Sequence, residues 1–300
     1  MTAPPLRRPV LRYHGGKWRL APWTVGFFPP HRTYVEPFGG GASVLMRKPR
    51  AYAEIYNDLD GEIVNVFRVL RNTESAATLE RALRLTPFAR TEFNDAHDRN
   101  TTDPIERARR TIVRSFMGFG SDALADVYPR GMRTRASTRR VLQATGFRAN
   151  SNRSHTTPAH DWANYPDQLR AFCERLTGVV IENYPAARVI KTHDRAEALI
   201  YCDPPYVHST RRPRKKGAGG GYTHEMTDDD HRGLSKQLHS VAGMVIVSGY
   251  PSVLYDVELY GDWERHERQH TADGARKRTE VIYLNAACSK ARAALELGVA

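Results

Sequence analysis

The apolar run Ala198-Leu199-Ile200 leads into Tyr201-Cys202-Asp203-Pro204-Pro205-Tyr206. No other stretch restricts the fold so sharply. The run reads as a short buried strand, and two consecutive prolines cannot continue it, because each lacks an amide hydrogen and fixes φ. The strand must stop and the chain must turn. A residue before proline is pushed toward extended geometry, so the Asp203 carboxylate and the proline carbonyls stand at a strand's carboxyl end, where open α/β sheets hold ligands. Two acceptors beside the flat face of Tyr206 suit an exocyclic amine on a planar base. Taken alone, the same residues also describe a proline-rich turn whose aspartate caps a helix and whose tyrosine packs.

The length of 300 residues allows one large domain or a core carrying an inserted module. No apolar run is long enough to cross a bilayer, and Met1 to Arg12 carry charge and three prolines in place of a signal-peptide core. The expectation is a cytoplasmic protein of a bacterial or phage-infected cell, with no membrane partner and a mature chain starting near Met1. Cys173, Cys202 and Cys288 are odd in number and scattered, and the histidines show no ligand spacing, so neither a disulfide framework nor a metal site is expected. A net charge of +12 favours a polyanionic partner, although a solvated surface has the same composition.

Near the N-terminus, Tyr13-His14-Gly15-Gly16-Lys17 joins a glycine pair, which lets backbone approach a ligand, to a lysine able to meet a carboxylate. A flexible turn with a solvated lysine is the simpler local reading. Thr33 to Met46 then reads as strand, glycine-rich turn and helix start, with Glu36-Pro37-Phe38-Gly39-Gly40-Gly41 at the bend. It has neither dinucleotide-fingerprint spacing nor a P-loop lysine, so a nucleoside without phosphates suits it best. Ala51 to Tyr56 reads as a second strand ending in Asn57-Asp58. Asp58 follows Gly39 by 19 residues, near the spacing at which an acid meets ribose hydroxyls. Capping is the competing role for the acids here; Asp60 is expected to cap a helix over Ile63 to Arg71 while Asp58 binds.

The chain between 63 and 179 changes character, with helical patterns around Ala76 to Leu85 and Ile105 to Phe116. It reads as an inserted module dividing a core of 1–62 and 180–300. No acid occurs between Asp126 and Asp161, whereas Arg130, Arg133, Arg135, Arg139, Arg140, Arg148 and Arg153 do. Such a segment neutralises phosphates and reaches base edges, or is a solvated loop. Phe116, Phe119 and Phe147 are wedge or packing residues. The sheet resumes with Val179 to Tyr184, then Val189 to Asp194 before the central motif. Asp194 is a candidate for a cofactor's adenine amine, with a turn or cap role as the alternative. Beyond Tyr206, Arg211, Arg212 and Lys215 sit in a glycine-rich basic loop. Thr227 with Asp228, Asp229 and Asp230 reads as a helix cap in preference to a metal cluster. Met244 to Tyr250 and Thr279 to Asn285 read as strands, with Ala275-Arg276-Lys277-Arg278 as a basic turn facing DNA.

Gly15-Gly16-Lys17, Glu36 to Gly41, Asn57-Asp58 and Asp203 to Tyr206, in that order and with a long insertion before the last, resemble the Dam-like, D12 class (alpha group) of S-adenosylmethionine-dependent DNA adenine-N6 methyltransferases. The resemblance implies a Rossmann-like methyltransferase sheet with helices on both faces and an inserted, mainly helical target-recognition module. It implies Asp203, Pro204, Pro205 and Tyr206 as catalytic residues acting on a flipped adenine. It implies a cofactor site from Tyr13, Gly16, Lys17, Glu36, Pro37, Phe38, Gly39, Gly40, Asp58 and Asp194, and needs no metal. Double-stranded DNA is the expected partner, bound by a monomer, with a cognate restriction endonuclease left open. A cytosine-N4 or RNA amino-methyltransferase on the same core, and a non-catalytic DNA-binding homologue, are the alternatives.

If Arg139 and Arg140 belong to a recognition module, their alanine variants should separate. Loss of a phosphate contact weakens binding to every duplex and flattens the log-log salt dependence by about one unit, whereas loss of a base contact costs about 1 to 3 kcal/mol at one position and relaxes the methylated motif there. A salt series on specific and scrambled duplexes reads both. Variants indistinguishable from wild type would leave the stretch a solvated loop.

Overall fold

A computed structural model describes residues 6–98, 100–119, 124, 146–149, 156–210, 222–272 and 276–297. Seven strands form one sheet: β1 Thr33–Glu36, β2 Ala53–Asn57, β3 Val179–Glu182, β4 Ala198–Cys202, β5 Met244–Gly249, β6 Glu264–Ala272 and β7 Arg276–Leu284. Their order is β3-β2-β1-β4-β5-β7-β6. The first five neighbours are parallel, and β7 joins β5 antiparallel with β6 outside it. Parallel strands need both faces covered, and the pleat alternates accordingly. Tyr34, Tyr56, Leu199, Tyr201 and Ile246 enter one apolar cluster, while Val35, Ile55, Ile200, Val245 and Val247 enter the other.

The helices begin where the sequence supplies caps. The Asp60 side chain accepts from the Glu62 amide at the start of α3 (Gly61–Arg71). Thr227 and Asp230 form a reciprocal capping box on α10 (Asp228–Leu238), which is the role expected for that acidic run. Val189 to Asp194, expected with the resuming sheet, is mostly helical instead: α9 spans Ala186–His193 with buried Val189 and Ile190, and so crosses from β3 to β4. The prolines and apolar residues from Trp18 to Phe28 contain only the short helix α1 (Ala21–Val25).

The segment between β2 and β3 carries α4 (Thr73–Leu85), α5 (Arg90–Asp95), α6 (Pro104–Met117), α7 (Pro158–Ala163) and α8 (Leu169–Leu176). Their buried faces, including Leu79, Phe93, Ile112, Phe116, Tyr165 and Phe172, belong to the same cluster as one face of the sheet. Phe116 packs on Tyr165, and Phe147 packs on Phe88 and Phe93, which is the packing role for both; Phe119 is exposed.

The expected basic turn at Ala275 to Arg278 is corrected. Arg276, Lys277 and Arg278 lie in β7, opposite Ala272, Thr271 and His270 of β6. Strand β6 went unread because Glu264-Arg265-His266-Glu267-Arg268-Gln269-His270 has no apolar alternation. It is an edge strand, and charged side chains are what protect an edge from pairing with another chain.

A buried ionic cluster ties the sheet to these helices. Glu54 on β2 receives Lys48 at 2.6 Å and Arg175 of α8 at 2.6 and 3.0 Å. Arg175 also donates to the Leu45 carbonyl. Burial works against the Glu54 charge, but the Arg175 and Lys48 hydrogen bonds outweigh it and hold its pKa below the ordinary carboxylate value. Removing Arg175 leaves Glu54 with Lys48 as its remaining charge partner and costs its charge-assisted hydrogen bonds, so Arg175→Ala should destabilise the protein by about 1.5 to 3 kcal/mol. Chemical unfolding checks this, and a loss under about 1 kcal/mol would show that the cluster is solvated.

Candidate active site

The order of the sheet reverses between β1 and β4: β2 and β3 lie to one side, β5, β7 and β6 to the other. Connections leaving the carboxyl ends of β1 and β4 therefore diverge and open a crevice. The pairing of Thr33 with Ala198 and Val35 with Ile200 brings Glu36 and Asp203 to the same edge. A cavity of about 590 Å³ occupies it. Its lining comes from Tyr13 to Lys17, Glu36 to Gly41, Asp58, Asp203 and Pro205, and from the segment Tyr222 to Met226.

One end of the cavity is backbone and carboxylate. Gly40 has φ +47°, and a Cβ there would lie 2.8 Å from the half-buried ring of Tyr13. At Gly39 a Cβ would lie 2.2 Å from the Tyr56 ring, so neither glycine can carry a side chain in this arrangement. Ala42 is also left-handed, at φ 51°, as α2 (Ser43–Arg47) begins. Asp58 fixes the loop: one oxygen accepts from the Gly40 amide at 2.7 Å and the other from the Asp60 amide at 2.8 Å. Burial outweighs these bonds and raises the Asp58 pKa to about 6. Each oxygen keeps a second lone pair, so hydroxyl donors can still be met. Glu36 is more deeply buried; Tyr34 Oη and the Leu45 amide donate to its Oε2 at 2.8 and 3.0 Å. Burial raises its pKa to about 8 against the pull of the Tyr34 hydrogen bond.

The other end is a charge cluster. Lys17 Nζ lies 3.0 Å from Asp203 Oδ1 and 3.4 Å from Glu280 Oε1, donates to the Gly15 carbonyl at 3.1 Å, and stands 4.6 Å from the centre of the Tyr206 ring. Burial disfavours the ammonium, but Asp203 and Glu280 outweigh it and hold the Lys17 pKa well above its usual value. Tyr206 donates its hydroxyl to Glu280 and meets Tyr250 edge-on, with ring centres 4.5 Å apart. Burial raises Asp203, with Lys17 opposing, and raises Glu280 to about 7.

Of the expected residues, Tyr13, Gly16, Lys17, Glu36, Pro37, Phe38, Gly39, Gly40, Asp58, Asp203 and Pro205 meet around this cavity, whereas Pro204 and Tyr206 are buried outside its lining. Asp194 is corrected. Its carboxylate accepts from the Ala242 amide at 3.0 Å and the Gly243 amide at 2.9 Å, at the amino end of β5 and away from the cavity. This is the turn role, which α9 imposes by ending there. Lys277 is exposed on β7. Arg130, Arg133, Arg135, Arg139, Arg140, Arg211, Arg212 and Lys215 lie outside the described residues. The residue that sequence reasoning passed over is Glu280, read only as part of a strand; its signal was an acid next to Val281-Ile282-Tyr283 in an otherwise buried strand. Tyr222 to Met226 also went unassigned as cavity lining.

A glycine loop and a strand-end acid at one end of a crevice, with an Asp-Pro-Pro-Tyr turn at the other, are the arrangement that the resemblance to amino-group methyltransferases implies. The model of the D12 class N6 adenine-specific DNA methyltransferases matches residues 13–272, and the chain belongs to this family. The DNA adenine methylase of Haemophilus influenzae is 24% identical over 221 residues, 71% of this chain and 68% of that protein. The protein is thus a DNA adenine methyltransferase, and S-adenosylmethionine is the methyl donor its family implies. The cavity fits such a group: Glu36 and Asp58 supply acceptors for a cationic nucleoside, and the Gly39 to Gly41 backbone leaves the floor open.

Because Glu36 is mostly protonated at neutral pH, a cation bound beside it should expel that proton. Donor binding at pH 7 should release close to one proton, and the release should fade above about pH 9, where Glu36 is already ionised. Calorimetry in buffers of different ionisation enthalpy measures this. Equal heats in all buffers, or release that persists in Glu36→Gln, would exclude Glu36.

Proposed function

We propose that this protein methylates N6 of an adenine turned out of duplex DNA at a specific sequence, with the donor at the Gly39 to Gly41 loop and Asp58 and the target amine at Asp203. The observation that carries this reading is continuity: one cavity runs from the glycine loop and Asp58 to the Asp203 carboxylate. Bound S-adenosylmethionine supplies an electrophilic methyl on a sulfonium. Asp203 and the Pro204 carbonyl accept the amine's two hydrogens and aim its lone pair along the cavity, so catalysis is mainly orientation and electrostatics. As the new N–C bond forms and the S–C bond breaks, N6 loses one proton, and Asp203 is the nearest group able to receive it. Asp203 need not be a strong base, since the amine becomes acidic only as the methyl arrives.

Tyr206 is the stacking wall for the base. Glu280 holds its hydroxyl and Tyr250 its edge, which leaves the face over which Lys17 now stands. Duplex DNA is held by the arginines between 130 and 140, by Arg211, Arg212 and Lys215, and by Lys277 on β7, consistent with a net charge of +12. On this reading the protein acts on duplex DNA as a monomer.

Two substitutions should separate binding from chemistry. Asp203→Ala should abolish methylation and leave donor affinity nearly unchanged, while Asp58→Ala should cost about 1.5 to 3 kcal/mol in donor affinity. Calorimetry with the donor, together with modified-base sequencing of DNA from a methylation-free host expressing each variant, reads both. Wild-type methylation by Asp203→Ala would overturn the acceptor assignment.

A further inference from the structure

We infer that Glu280 is a positioning residue for methyl transfer: it retains the Lys17 ammonium when the target amine displaces that ammonium from Asp203. The inference rests on Asp203 as the acceptor for adenine N6. In the structure, Lys17 stands where that amine must come. Its nitrogen is 3.0 Å from Asp203 Oδ1 and lies over the ring of Tyr206, so it covers both the acceptor and the stacking face. Asp203 Oδ1 is buried with the Lys17 ammonium 3.0 Å from it, so an incoming amine must take the place of that ammonium.

A displaced ammonium that is only 5% exposed cannot be left unpaired. Glu280 is 2% exposed and its Oε1 is already 3.4 Å from Lys17 Nζ, so a shift of well under one side-chain length transfers the pair. The Gly15 carbonyl bonds the same nitrogen at 3.1 Å and serves as a pivot common to both positions. Glu280 is held for this by the Tyr206 hydroxyl and by its place in β7, between β5 and β6. No group on Glu280 touches the reacting atoms. It acts through Lys17 and Tyr206, and the exchange moves a cation without making or breaking a covalent bond.

Glu280→Gln keeps the volume and an oxygen for Tyr206 but removes the charge. The expected result is a fall in single-turnover methylation of about 10- to 100-fold, the size of one charge-assisted hydrogen bond, with donor affinity by calorimetry within about twofold of wild type. Lys17→Met lowers the rate on its own account, because Lys17 lines the donor cavity, and it serves as the background in which the Glu280 change is read. Adding Glu280→Gln to it should change the rate by less than about twofold, because coupled groups are non-additive. The double variant removes one cation and one anion together, so it tests the idea even if Glu280→Gln alone does not fold. A wild-type rate in Glu280→Gln, an equal penalty for that change with and without Lys17, or a parallel loss of donor affinity would each overturn the inference. Activity in Asp203→Ala would instead overturn the acceptor reading beneath it, so the two failures are distinguishable.

Discussion

The pairing of β1 with β4 is the constraint on which the rest of this molecule depends. These two strands are not neighbours in sequence, and the order of the sheet reverses between them. Each carries a sharp turn at its carboxyl end, one imposed by glycines and the other by prolines. Because the pairing is parallel and in register from Thr33 with Ala198, the two turns open side by side. The cavity follows from this arrangement, and so does the separation of a glycine-floored end from an end bearing a carboxylate.

Electrostatically, the site is a set of carboxylates held in poor solvation. Glu36, Asp58, Asp203 and Glu280 are all raised by burial, against hydrogen bonds that favour their charge. The Glu54, Lys48 and Arg175 cluster lies at the amino end of β2 and shows the contrasting case, an acid whose partners outweigh its burial. One protein thus holds two kinds of buried acid. Those at and beside the cavity have their proton affinity raised, while Glu54 is saturated by its own chain.

The middle of the chain helps to close the core. Helices α4, α6 and α8 complete the covering of one sheet face, with Leu79, Ile112 and Phe172 in the same cluster as Tyr56 and Tyr201. A segment that reads as an insertion in sequence is therefore continuous with the core in packing. The edge hairpin of β6 and β7 has a comparable double use. Its outer strand is charged along its length, and its inner strand buries Glu280 beside the acceptor turn.

Local chemistry made much of this legible from the amino acids alone. The proline pair after Ile200, the glycines after Phe38, the caps at Asp60 and Thr227 and the short apolar runs each dictate a strand end, a bend or a helix start from their own dihedral and hydrogen-bonding limits. The order of the motifs identified the chemistry. Three things lay beyond that reach. Asp194 stood before the central motif as a candidate cofactor ligand or a turn residue, and the helix before it directs its carboxylate to the amides of Ala242 and Gly243. Strand β6 has no apolar period and exists because β7 offers it a ladder. The joining of Lys17, Asp203 and Glu280 was decided only by tertiary structure, since they come from the start, the middle and the end of the chain. Sequence spacing carries no information about such a contact; strand order and register create it, and burial makes the charges depend on one another.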